Sequence, residues 1–600
     1  WASIPAQQTS LGSEAVLNYL RGDQSGEAAN GGTFRNRNSL LGDIVNSSPT
    51  YVGTPSLRYP DYWGSGENEN LVLYSDFKST HSSRQGLIYV GSNAGMMHAF
   101  NADTGVEHFA YVPESIYSDL ADLADINYNH QYLVDGSPTV VDAFYDEDSD
   151  GTGEWHSVLV AGLRGGAQGV FALDVTDPTD FNTETAGATK VLWEFTDADD
   201  DDLGYVYGPP SIVRLTTGKW AAVFSGGYNN TFDNDSTNND SSSGNAVLYI
   251  VDIEDGSLIK KFDTKIGSAD DPTGNNRPNG LSQPSVIDFN GDYIADAIYA
   301  GDLFGNVWKI DISGNSVGNW TFAYKTGSNP VPIYTACAAA TCSASNHQPI
   351  TTQLKVKTHP FLTGYLVVFG TGKYIEVGDN ISSGQTTQSM YGVWDRVEST
   401  LTAFDRDDLL EQEIIFEVSQ HNELLRVITE NAITWHNGTS GHLGWYLDLY
   451  NTQSGNTNNY GERQISNTII RNNRLIFSTL IPLDDPCDFG GTGVLMEIDV
   501  NTGSRLPFSP FDLNGDGVFS SADYVQIGTD GDGNAIYAPV SGKYSKNGII
   551  SQPTIVNVAG GGNKEVIFNN TGDGNVDQTM GNSGPSDVGR QSWRQLEFNF

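Results

Sequence analysis

Short apolar runs recur along the whole chain, and each is bounded by glycine, asparagine or aspartate. In "LIYVGSNAGMMHAF" two such runs flank a turn, as they also do in "VLVAGLRGGAQGVFALDV" and "AIYAGDLFGNVWKI". Runs of this length between turn residues are typical of β-strands, and two runs joined by a glycine turn predict a β-hairpin. The pattern therefore predicts an all-β fold that is built from many hairpins.

A short phrase containing proline precedes many of these hairpins. Its copies lie at Ser48–Pro49, Ser137–Pro138, Pro209–Pro210, Gln283–Pro284, Gln348–Pro349 and Gln552–Pro553, and a degenerate copy has Asn467 in place of proline. Proline can begin a strand, because the first residue need not donate a hydrogen bond to the ladder. About seven repeats of a few strands each predict a modified seven-bladed β-propeller with inserted loops and a few short helices. We expect residues 1–600 to form this single domain; six or eight blades and a β-sandwich array are the alternatives.

One stretch between the repeats has a different periodicity. The sequence "DRDDLLEQEIIFEV", which begins at Asp405, spaces its apolar residues at intervals typical of a helix. We therefore expect a short helix here, attached to one blade.

The chain is strongly acidic, with 74 Asp and Glu residues against 31 Lys and Arg residues and a net charge of −43. Nucleic-acid binding needs clustered basic residues, so this composition excludes a nucleic-acid partner and an anionic lipid surface. No apolar run reaches the ~18 residues of a membrane span. The excess of carboxylates fits an extracellular habitat, binding of divalent cations, or both.

Three cysteines, Cys337, Cys342 and Cys487, bear on the cellular compartment. The spacing of the first two does not match a zinc site, and we expect a small disulfide loop formed in an oxidising environment, with Cys487 left over.

The chain begins at Trp1 without methionine or a signal peptide. We expect an export signal to lie upstream, in a longer protein.

The clearest candidate metal site is "DFNGDYIAD", which we call the first loop (residues 288–296). Calcium takes about six to eight oxygen ligands, and one loop can supply them from alternate side chains and a backbone carbonyl. Asp288, Asn290 and Asp292 stand at alternate positions, the Ile294 carbonyl follows, and Asp296 closes the loop. The sequence predicts a calcium site here, and a solvated acidic hairpin is the alternative.

Two further stretches have a related spacing. In the second loop (residues 512–523) the candidate ligands are Asp512, Asn514, Asp516, the Val518 carbonyl, Ser520 and Asp523. In the third loop (residues 146–154) they are Asp146, Asp148, Asp150, the Thr152 carbonyl and Glu154. The second is close to an EF-type loop that ends in aspartate, whereas an acidic turn without an ion is the alternative for the third. Clustered carboxylates repel one another until a cation lies among them, so a bound ion would rigidify each turn.

Motifs that perform catalysis are missing from the sequence. It contains no HExxH, GxSxG or P-loop pattern, and its histidines do not have the spacing of metal ligands. We therefore expect a protein without enzymatic activity. The phrases "GNVWKID" and "VLWEFTD" are faintly similar to repeats of quinoprotein dehydrogenases, which makes a PQQ-type oxidoreductase the alternative.

Near the start, Arg21, Gly22 and Asp23 form the tripeptide that integrins recognise on exposed loops. The same tripeptide also arises in ordinary Arg–Asp turns. We expect the structural role here, and a recognition role is the alternative.

Several phrases together resemble one protein family. The phrases "LRGDQ", "LGDIVNSSPTYVG", "IYVGSNAGMMHAFNADTG", "VFALDVTDP", "YAGDLFGNVWKID", "VVFGTGKYIEVGD" and "GRQSWRQLEF" follow one another along nearly the whole chain. They are similar to phrases in the C-terminal domain of the PilY-type family of type IV pilus biogenesis factors and tip-associated adhesins.

This resemblance implies a seven-bladed propeller that is exported to the cell surface and lies at the pilus tip. It implies minor pilins of the tip complex as partners, host-cell or abiotic surfaces as further ligands, and roles in pilus extension, retraction, attachment and twitching motility. It places the calcium loop of the family at residues 288–296, whereas the second and third loops rest on spacing alone. It also implies that the variable N-terminal region of the family is absent from this chain.

Overall fold

The computed structural model describes residues 4–147, 150–232, 239–435, 440–451, 459–483, 490–558 and 562–584. The chain divides into two compact units. Unit 1 comprises Trp1–Thr335 with Ser399–Leu401, and unit 2 comprises Ala336–Glu398 with Thr402–Phe600. Strands make up most of the regular structure, which confirms the all-β prediction. The single domain and the count of seven blades stay predictions.

Unit 1 contains four larger antiparallel sheets among its described residues, and in each the strands follow one another in sequence, except that Tyr334–Thr335 in the fourth pairs back with Asn306–Asp311. The first sheet comprises Thr50–Val52, Leu87–Ser92, Met96–Asn101 and Glu107–Tyr111; the second comprises Thr139–Tyr145, Glu154–Gly162, Gly169–Asp174 and Val191–Thr196. The third comprises Ser211–Arg214, Trp220–Ser225, Val247–Asp252 and Leu258–Asp263; the fourth comprises Ser285–Ile287, Ala297–Gly301, Asn306–Asp311, Thr321–Phe322 and Tyr334–Thr335. A small hairpin pairs Lys325–Thr326 with Asn329–Pro330.

The sheets of unit 2 are less regular. A five-stranded sheet has the order Lys355–Thr358, Tyr365–Gly370, Ser389–Asp395, Gly444–Asp448 and Leu410–Gln412, and its last pair is parallel. A six-stranded sheet has the order Ile414–Gln420, Glu423–Ile428, Gly542–Tyr544, Val494–Asp499, Arg474–Ser478 and Ile469–Arg471. A three-stranded sheet comprises Thr554–Asn557, Lys564–Asn570 and Val576–Asn582. Two-stranded ladders pair Ile481–Pro482 with Gly491–Thr492, and Tyr524–Thr529 with Ala535–Pro539.

Helices are short throughout the described residues. The α-helices are Gln8–Leu11, Glu14–Leu20, Tyr74–Thr80 and Glu184–Ala188. The 3₁₀ helices are Ala28–Asn30, Asn68–Asn70, Glu114–Ile116, Leu120–Ala124, Pro178–Asn182, Ser268–Asp270, Val317–Asn319, Arg406–Asp408 and Ser521–Asp523. Within the described ranges, no helix has both the length and the hydropathy needed to cross a membrane.

The helix predicted from Asp405 is wrong. Only Arg406–Asp408 forms a helical turn, and the chain continues as strands Leu410–Gln412 and Ile414–Gln420. The second of these strands pairs with Glu423–Ile428. Its β-branched isoleucines favour extended backbone, and pairing with a neighbouring strand outweighs the helical spacing of the apolar residues.

The proline phrases mark strand entry as predicted. A strand begins directly after Pro49, Pro138, Pro210, Pro284 and Pro553. After Pro349, however, Ile350 makes only an isolated bridge to Gly372. The continuous apolar runs are inner strands: Trp220–Ser225 and Val247–Asp252 are buried along their whole length, so both of their faces are hydrophobic.

An aspartate ends an inner strand in several successive sheets and turns the chain. Its side chain accepts a hydrogen bond from the amide two residues further on, which is an Asx turn. The pairs are Asp174 with Thr176 (2.9 Å), Asp252 with Glu254 (3.2 Å), Asp311 with Ser313 (3.0 Å), Asp395 with Val397 (3.1 Å) and Asp499 with Asn501 (2.7 Å). This shared turn explains why an apolar run followed by aspartate recurs in the sequence.

The expected disulfide is confirmed, because the sulfur atoms of Cys337 and Cys342 are bonded. Cys337 is buried, and its carbonyl accepts a hydrogen bond from the Tyr391 hydroxyl at 3.1 Å. Cys487 lies outside the described residues.

A buried ion cluster joins two sheets of unit 2. Two terminal nitrogens of Arg474 lie 2.6 Å from carboxylate oxygens of Glu497 and Glu565, which have no exposed surface. Arg471 lies 3.5 Å from Glu565. Burial raises the pKa of Glu497 to about 7; the charge of Glu565 acts in the same direction and that of Arg474 opposes it. Glu497 therefore holds its proton more tightly than an exposed glutamate does.

We expect the free energy of unfolding to fall as pH rises through the titration of Glu497. The unfolded chain releases this proton near pH 4.5, whereas the folded chain releases it near pH 7. The contribution of Glu497 to stability is therefore fully present below pH 4.5 and is lost as the pH rises towards 7. The fall is on the order of 1–3 kcal/mol. Urea unfolding of the wild type and of Glu497→Gln, from about pH 5 to pH 8, measures it.

The control for this experiment is Glu430→Gln in the same unit. Glu430 is more than half exposed and pairs with Arg505, so its substitution should leave the pH dependence unchanged. Parallel pH profiles for the wild type and Glu497→Gln would show that Glu497 does not titrate in this range.

Candidate metal centre

The first loop joins the first two strands of the fourth sheet in unit 1. Asp288 organises this loop, because backbone amides of four later residues donate to its carboxylate. They are the amides of Asn290 (3.1 Å), Gly291 (2.7 Å), Asp292 (3.3 Å) and Tyr293 (2.7 Å). The chain is therefore wound around a single carboxylate.

The other predicted side-chain ligands belong to the same network. Asn290 accepts the amide of Asp292, and Asp292 accepts the amide of Ile294, both at 2.8 Å. Asp296 closes the loop by accepting the amide of Phe289 at 2.8 Å. A carboxylate oxygen has two lone pairs, so an oxygen that accepts one amide can still bind a cation. The side chains thus form a set of oxygen donors, which is the chemistry that calcium requires.

The carboxylates of the first loop repel one another. Burial raises the pKa of Asp296, and the charges of Asp292, Asp288 and Asp311 raise it further, while the Phe289 amide acts in the opposite direction. A divalent cation among these groups would remove the repulsion. The electrostatics of the loop therefore favour cation binding.

The second loop repeats this arrangement in unit 2. Asp512 accepts the amides of Gly515 and Gly517, each at 2.8 Å, as Asp288 accepts the amides at the same two positions of the first loop. The next two side chains accept the amides two residues further on: Asn514 from Asp516 at 2.9 Å, and Asp516 from Val518 at 2.7 Å. The two loops, in different sheets, therefore share one internal hydrogen-bond pattern.

The closing part of the second loop is different. Asp523 is fully buried at the end of the 3₁₀ helix Ser521–Asp523 and accepts the amide of Ser520 at 2.9 Å. The Ser520 hydroxyl caps the same helix. A Cβ atom on Gly517 would lie 3.4 Å from the ammonium nitrogen of Lys564, so a positive charge stands beside this loop. The Lys564 charge opposes binding of a metal ion in the second loop.

The third loop is described in part, and Asp148 lies outside the described residues. The remaining contacts follow the same pattern: Asp146 accepts the amides of Asp150 (3.1 Å) and Gly151 (2.8 Å), and Asp150 accepts the amide of Thr152 (2.8 Å). Glu154 begins the strand Glu154–Gly162 and is paired with Tyr145 in the ladder. The structure thus brings together the predicted side chains of the first loop. In the second loop it gives Asp512, Asn514 and Asp516 the same arrangement, and in the third loop Asp146 and Asp150.

The sixth residue of each loop has a positive φ, a conformation that suits glycine. In the second and third loops this residue is Gly517 (φ 72°) and Gly151 (φ 92°), but in the first loop it is Tyr293 (φ 68°). The Tyr293 ring lies 5.5 Å from the ring of Tyr59 and 6.2 Å from that of Trp63, measured between centroids. Sequence reasoning missed these aromatic residues. A tyrosine in the glycine position was the signal that could have shown them.

A further cluster of side chains of the kinds that bind metals is better explained as a network of ion pairs. Glu147, His156 and Asp174 hold ligand-type atoms within 4.8 Å of one another. The Lys190 ammonium lies 2.8 Å from Glu147 and 3.4 Å from Asp174, and His156 contacts Asp174 at 3.1 Å. Lys190 therefore already supplies the positive charge that a metal ion would bring.

The Arg21-Gly22-Asp23 tripeptide takes part in local contacts. The Arg21 guanidinium lies 2.5 Å from Glu184 at the surface, and Asp23 accepts the amide of Ser25 at 2.8 Å. The Asp23 carbonyl also accepts a hydrogen bond from Arg37 at 3.0 Å. These contacts agree with the structural role expected for the tripeptide.

Comparison with known proteins places this chain in a family. The model of the PilY1 beta-propeller domain matches residues 41–420, which is more than half of the chain. The chain belongs to the PilY1 β-propeller family. The matched residues contain the four larger sheets of unit 1 and the first loop, and the five-stranded sheet of unit 2 begins within them. The second loop lies beyond residue 420. Family membership confirms the β-propeller class that the repeats predicted.

Relatives and one solved structure extend the match over most of the chain. The type IV pilus biogenesis factor PilY1 of Pseudomonas aeruginosa (strain UCBPP-PA14) is 34% identical over 97% of this chain and 48% of its own length. A PilY1 homolog of Xylella fastidiosa is 35% identical over 97% of this chain and 38% of its own length. The crystal structure of the P. aeruginosa PilY1 C-terminal domain is 30% identical, with a TM-score of 0.67, and the match covers 89% of this chain and 99% of that domain. The chain thus spans half or less of the length of these curated relatives.

Proposed function

We propose that this chain is the propeller part of a type IV pilus biogenesis factor and tip-associated adhesin. The observation that carries the proposal is the match to P. aeruginosa PilY1 across 97% of the chain, together with its match to the C-terminal domain of that protein. The acidic composition and the disulfide fit an exported protein at the cell surface. The proposed role is non-enzymatic.

Calcium is the proposed ligand of the first loop. Asp288, Asn290, Asp292 and Asp296 would bind it through side-chain oxygens, and Ile294 through its carbonyl. The support is the set of oxygen donors, the amides that orient them, and the pKa of Asp296, which is raised by burial first and by neighbouring carboxylates second. Bound calcium would neutralise the carboxylates and hold the turn between two strands rigid.

The three loops differ in the affinity that we propose for them. The first has Asp311 close enough to act on Asp296, so an additional negative charge favours the ion. The second has Lys564 beside it and ends in aspartate rather than the longer glutamate, so we propose weaker binding. The third has the least support, because Asp148 lies outside the described residues and an acidic turn without an ion would make the same contacts.

The proposed partners are minor pilins of the tip complex, with host-cell or abiotic surfaces as further ligands. In this role the chain would support pilus extension and oppose or permit retraction, depending on calcium, and so affect attachment and twitching motility. The support is the family and the role of its relatives as type IV pilus biogenesis factors. Conformational switching of this type needs only a local charge change and an element that responds to it.

A domain exchange tests the proposed function. This chain would replace the C-terminal domain of PilY1 in a P. aeruginosa strain that lacks its own PilY1. We expect the chimera to restore surface pili and twitching, because the match covers 99% of the domain that it replaces. The chimera carrying Asp288→Ala and Asp296→Ala should produce pili whose retraction no longer responds to calcium.

The matched control chimera carries Asp255→Ala, which changes an exposed aspartate in the hairpin turn of the third sheet, whereas the first loop belongs to the fourth sheet. It should behave as the unmodified chimera does. A chimera that reaches the cell surface in normal amounts but restores neither pili nor twitching would contradict the proposed function.

A further inference from the structure

The first loop contains a residue whose backbone conformation is unfavourable for its side chain. Tyr293 has a φ of 68°, and a bulky residue with positive φ is a genuine outlier among protein backbones. The second and third loops have glycine at this position, and its amide donates to the first aspartate of the loop as that of Tyr293 does. The loop pattern therefore does not require tyrosine, and the side chain itself must account for the unfavourable conformation.

The Tyr293 ring packs against a segment that lies far away in sequence. Tyr59 meets it edge to face, with an interplanar angle of 89°, and Trp63 is tilted towards it at 65°. Tyr59 and Trp63 in turn contact the rings of Trp155 and Trp220, at centroid distances of 5.3 to 6.1 Å. Tyr293 thus connects the loop to a cluster of aromatic side chains that is largely buried.

Arg214 forms a second connection between the same two parts of unit 1. Its carbonyl accepts the amide of Ala295 at 2.9 Å, next to the predicted carbonyl ligand Ile294. Its buried guanidinium donates to Glu69 at 2.6 Å and lies 5.1 Å from the Trp63 ring. One residue therefore fixes the backbone of the loop at one end and the segment 59–73 at the other.

The segment 59–73 is itself held together by polar contacts. The amide of Trp63 donates to Asn70 at 2.8 Å, and the Val72 carbonyl accepts the indole N–H of Trp155 at 2.8 Å. Its exposed side chains include Tyr62 and Leu71. A change in the position of Trp63 would therefore be transmitted to an exposed surface of the protein.

We infer that Tyr293 is a positioning residue of the calcium loop, and that its ring couples calcium binding to the order of segment 59–73. This inference rests on the proposed calcium site. The ring, held by Tyr59 and Trp63, keeps the loop in the conformation that the ligands need. Calcium in turn fixes the ring, and through it the aromatic cluster.

Calcium titration of three variants tests this inference. All chains carry Asp512→Asn and Asp516→Asn in the second loop and Asp146→Asn and Asp150→Asn in the third, so that the titration reports the first loop. We expect Tyr293→Gly to bind calcium about tenfold more weakly and the remote Trp63→Leu about fivefold more weakly, while Tyr293→Phe keeps its affinity. If the ring had no role, Tyr293→Gly would bind as well as the parent or better, because glycine relieves the backbone strain.

A second readout distinguishes coupling from a local defect of the loop. Calcium should change the tryptophan fluorescence of the parent and slow amide hydrogen exchange in residues 59–73, and both effects should disappear in Tyr293→Gly even at saturating calcium. The control is Tyr62→Ser, which removes an exposed ring of the same segment and should change neither affinity nor response.

The outcomes separate the inference from the proposed function. If the parent binds calcium but Tyr293→Gly and Trp63→Leu match it in affinity and in both responses, the inference is wrong and the calcium site stands. If Asp288→Ala takes up calcium as the parent does, the calcium site is wrong and the inference is lost with it.

Discussion

Asp288→Ala should bind calcium about a hundredfold more weakly than the parent chain, because it loses both a charged ligand and the carboxylate around which the loop is wound. Four backbone amides donate to the Asp288 carboxylate, so its removal also frees the backbone that orients the other ligands. Isothermal titration calorimetry, again with the asparagine substitutions in the second and third loops present, measures the affinity of the first loop.

The matched control is Asp311→Asn. Asp311 acts on Asp296 through its charge but is not one of the predicted ligands, so the affinity should fall by no more than about threefold. The overall fold should be unchanged in both variants, because the first loop lies outside the buried core. Equal calcium affinities for Asp288→Ala and the parent would remove the first loop as the calcium site.

Asp302→Ala should lower the free energy of unfolding by about 3–5 kcal/mol, because it leaves several buried donors without an acceptor. Asp302 is fully buried in the hairpin turn of the fourth sheet. Its carboxylate accepts the amides of Phe304 and Asn306 at 2.9 Å, the side-chain amides of Asn279 and Asn306 at 3.0 Å, and the Trp308 indole N–H at 2.9 Å. Urea unfolding of the purified chain measures the loss.

Two comparisons sharpen this experiment. Asp302→Asn keeps one acceptor oxygen but places an NH₂ group against donors, so it should recover only part of the stability. Asp255→Ala in the turn of the preceding sheet removes an exposed carboxylate that accepts the Ser257 amide at 2.9 Å, and it should cost no more than about 1 kcal/mol. A loss at Asp302 as small as that at Asp255 would show that the buried donors find other partners.

Much of the architecture could be predicted because its signals are local. Strand entry after proline and the turn after a terminal aspartate involve residues that are neighbours in sequence. The same holds for the ligands of the first loop: Asp288, Asn290, Asp292 and Asp296 are brought together by a single turn of the chain. The spacing of such residues determines their geometry, whatever surrounds them.

The helix predicted from Asp405 shows where local signals fail. The apolar spacing of that stretch is compatible with a helix, but its isoleucines belong to Ile414–Gln420, which pairs with Glu423–Ile428. The hydrogen bonds of the ladder and the packing of the six-stranded sheet decide the outcome. Neither can be read from the periodicity of the stretch itself.

The sequence alone determined the strand-and-turn repeat and the candidate oxygen ligands of the loops, because both depend on side chains a few positions apart. Only the tertiary structure decided which residues pack against the first loop. Tyr59, Trp63 and Arg214 reach Tyr293 and Ala295 from distant parts of the chain. Such contacts depend on how separate segments pack within the unit, so no spacing within the loop could show them.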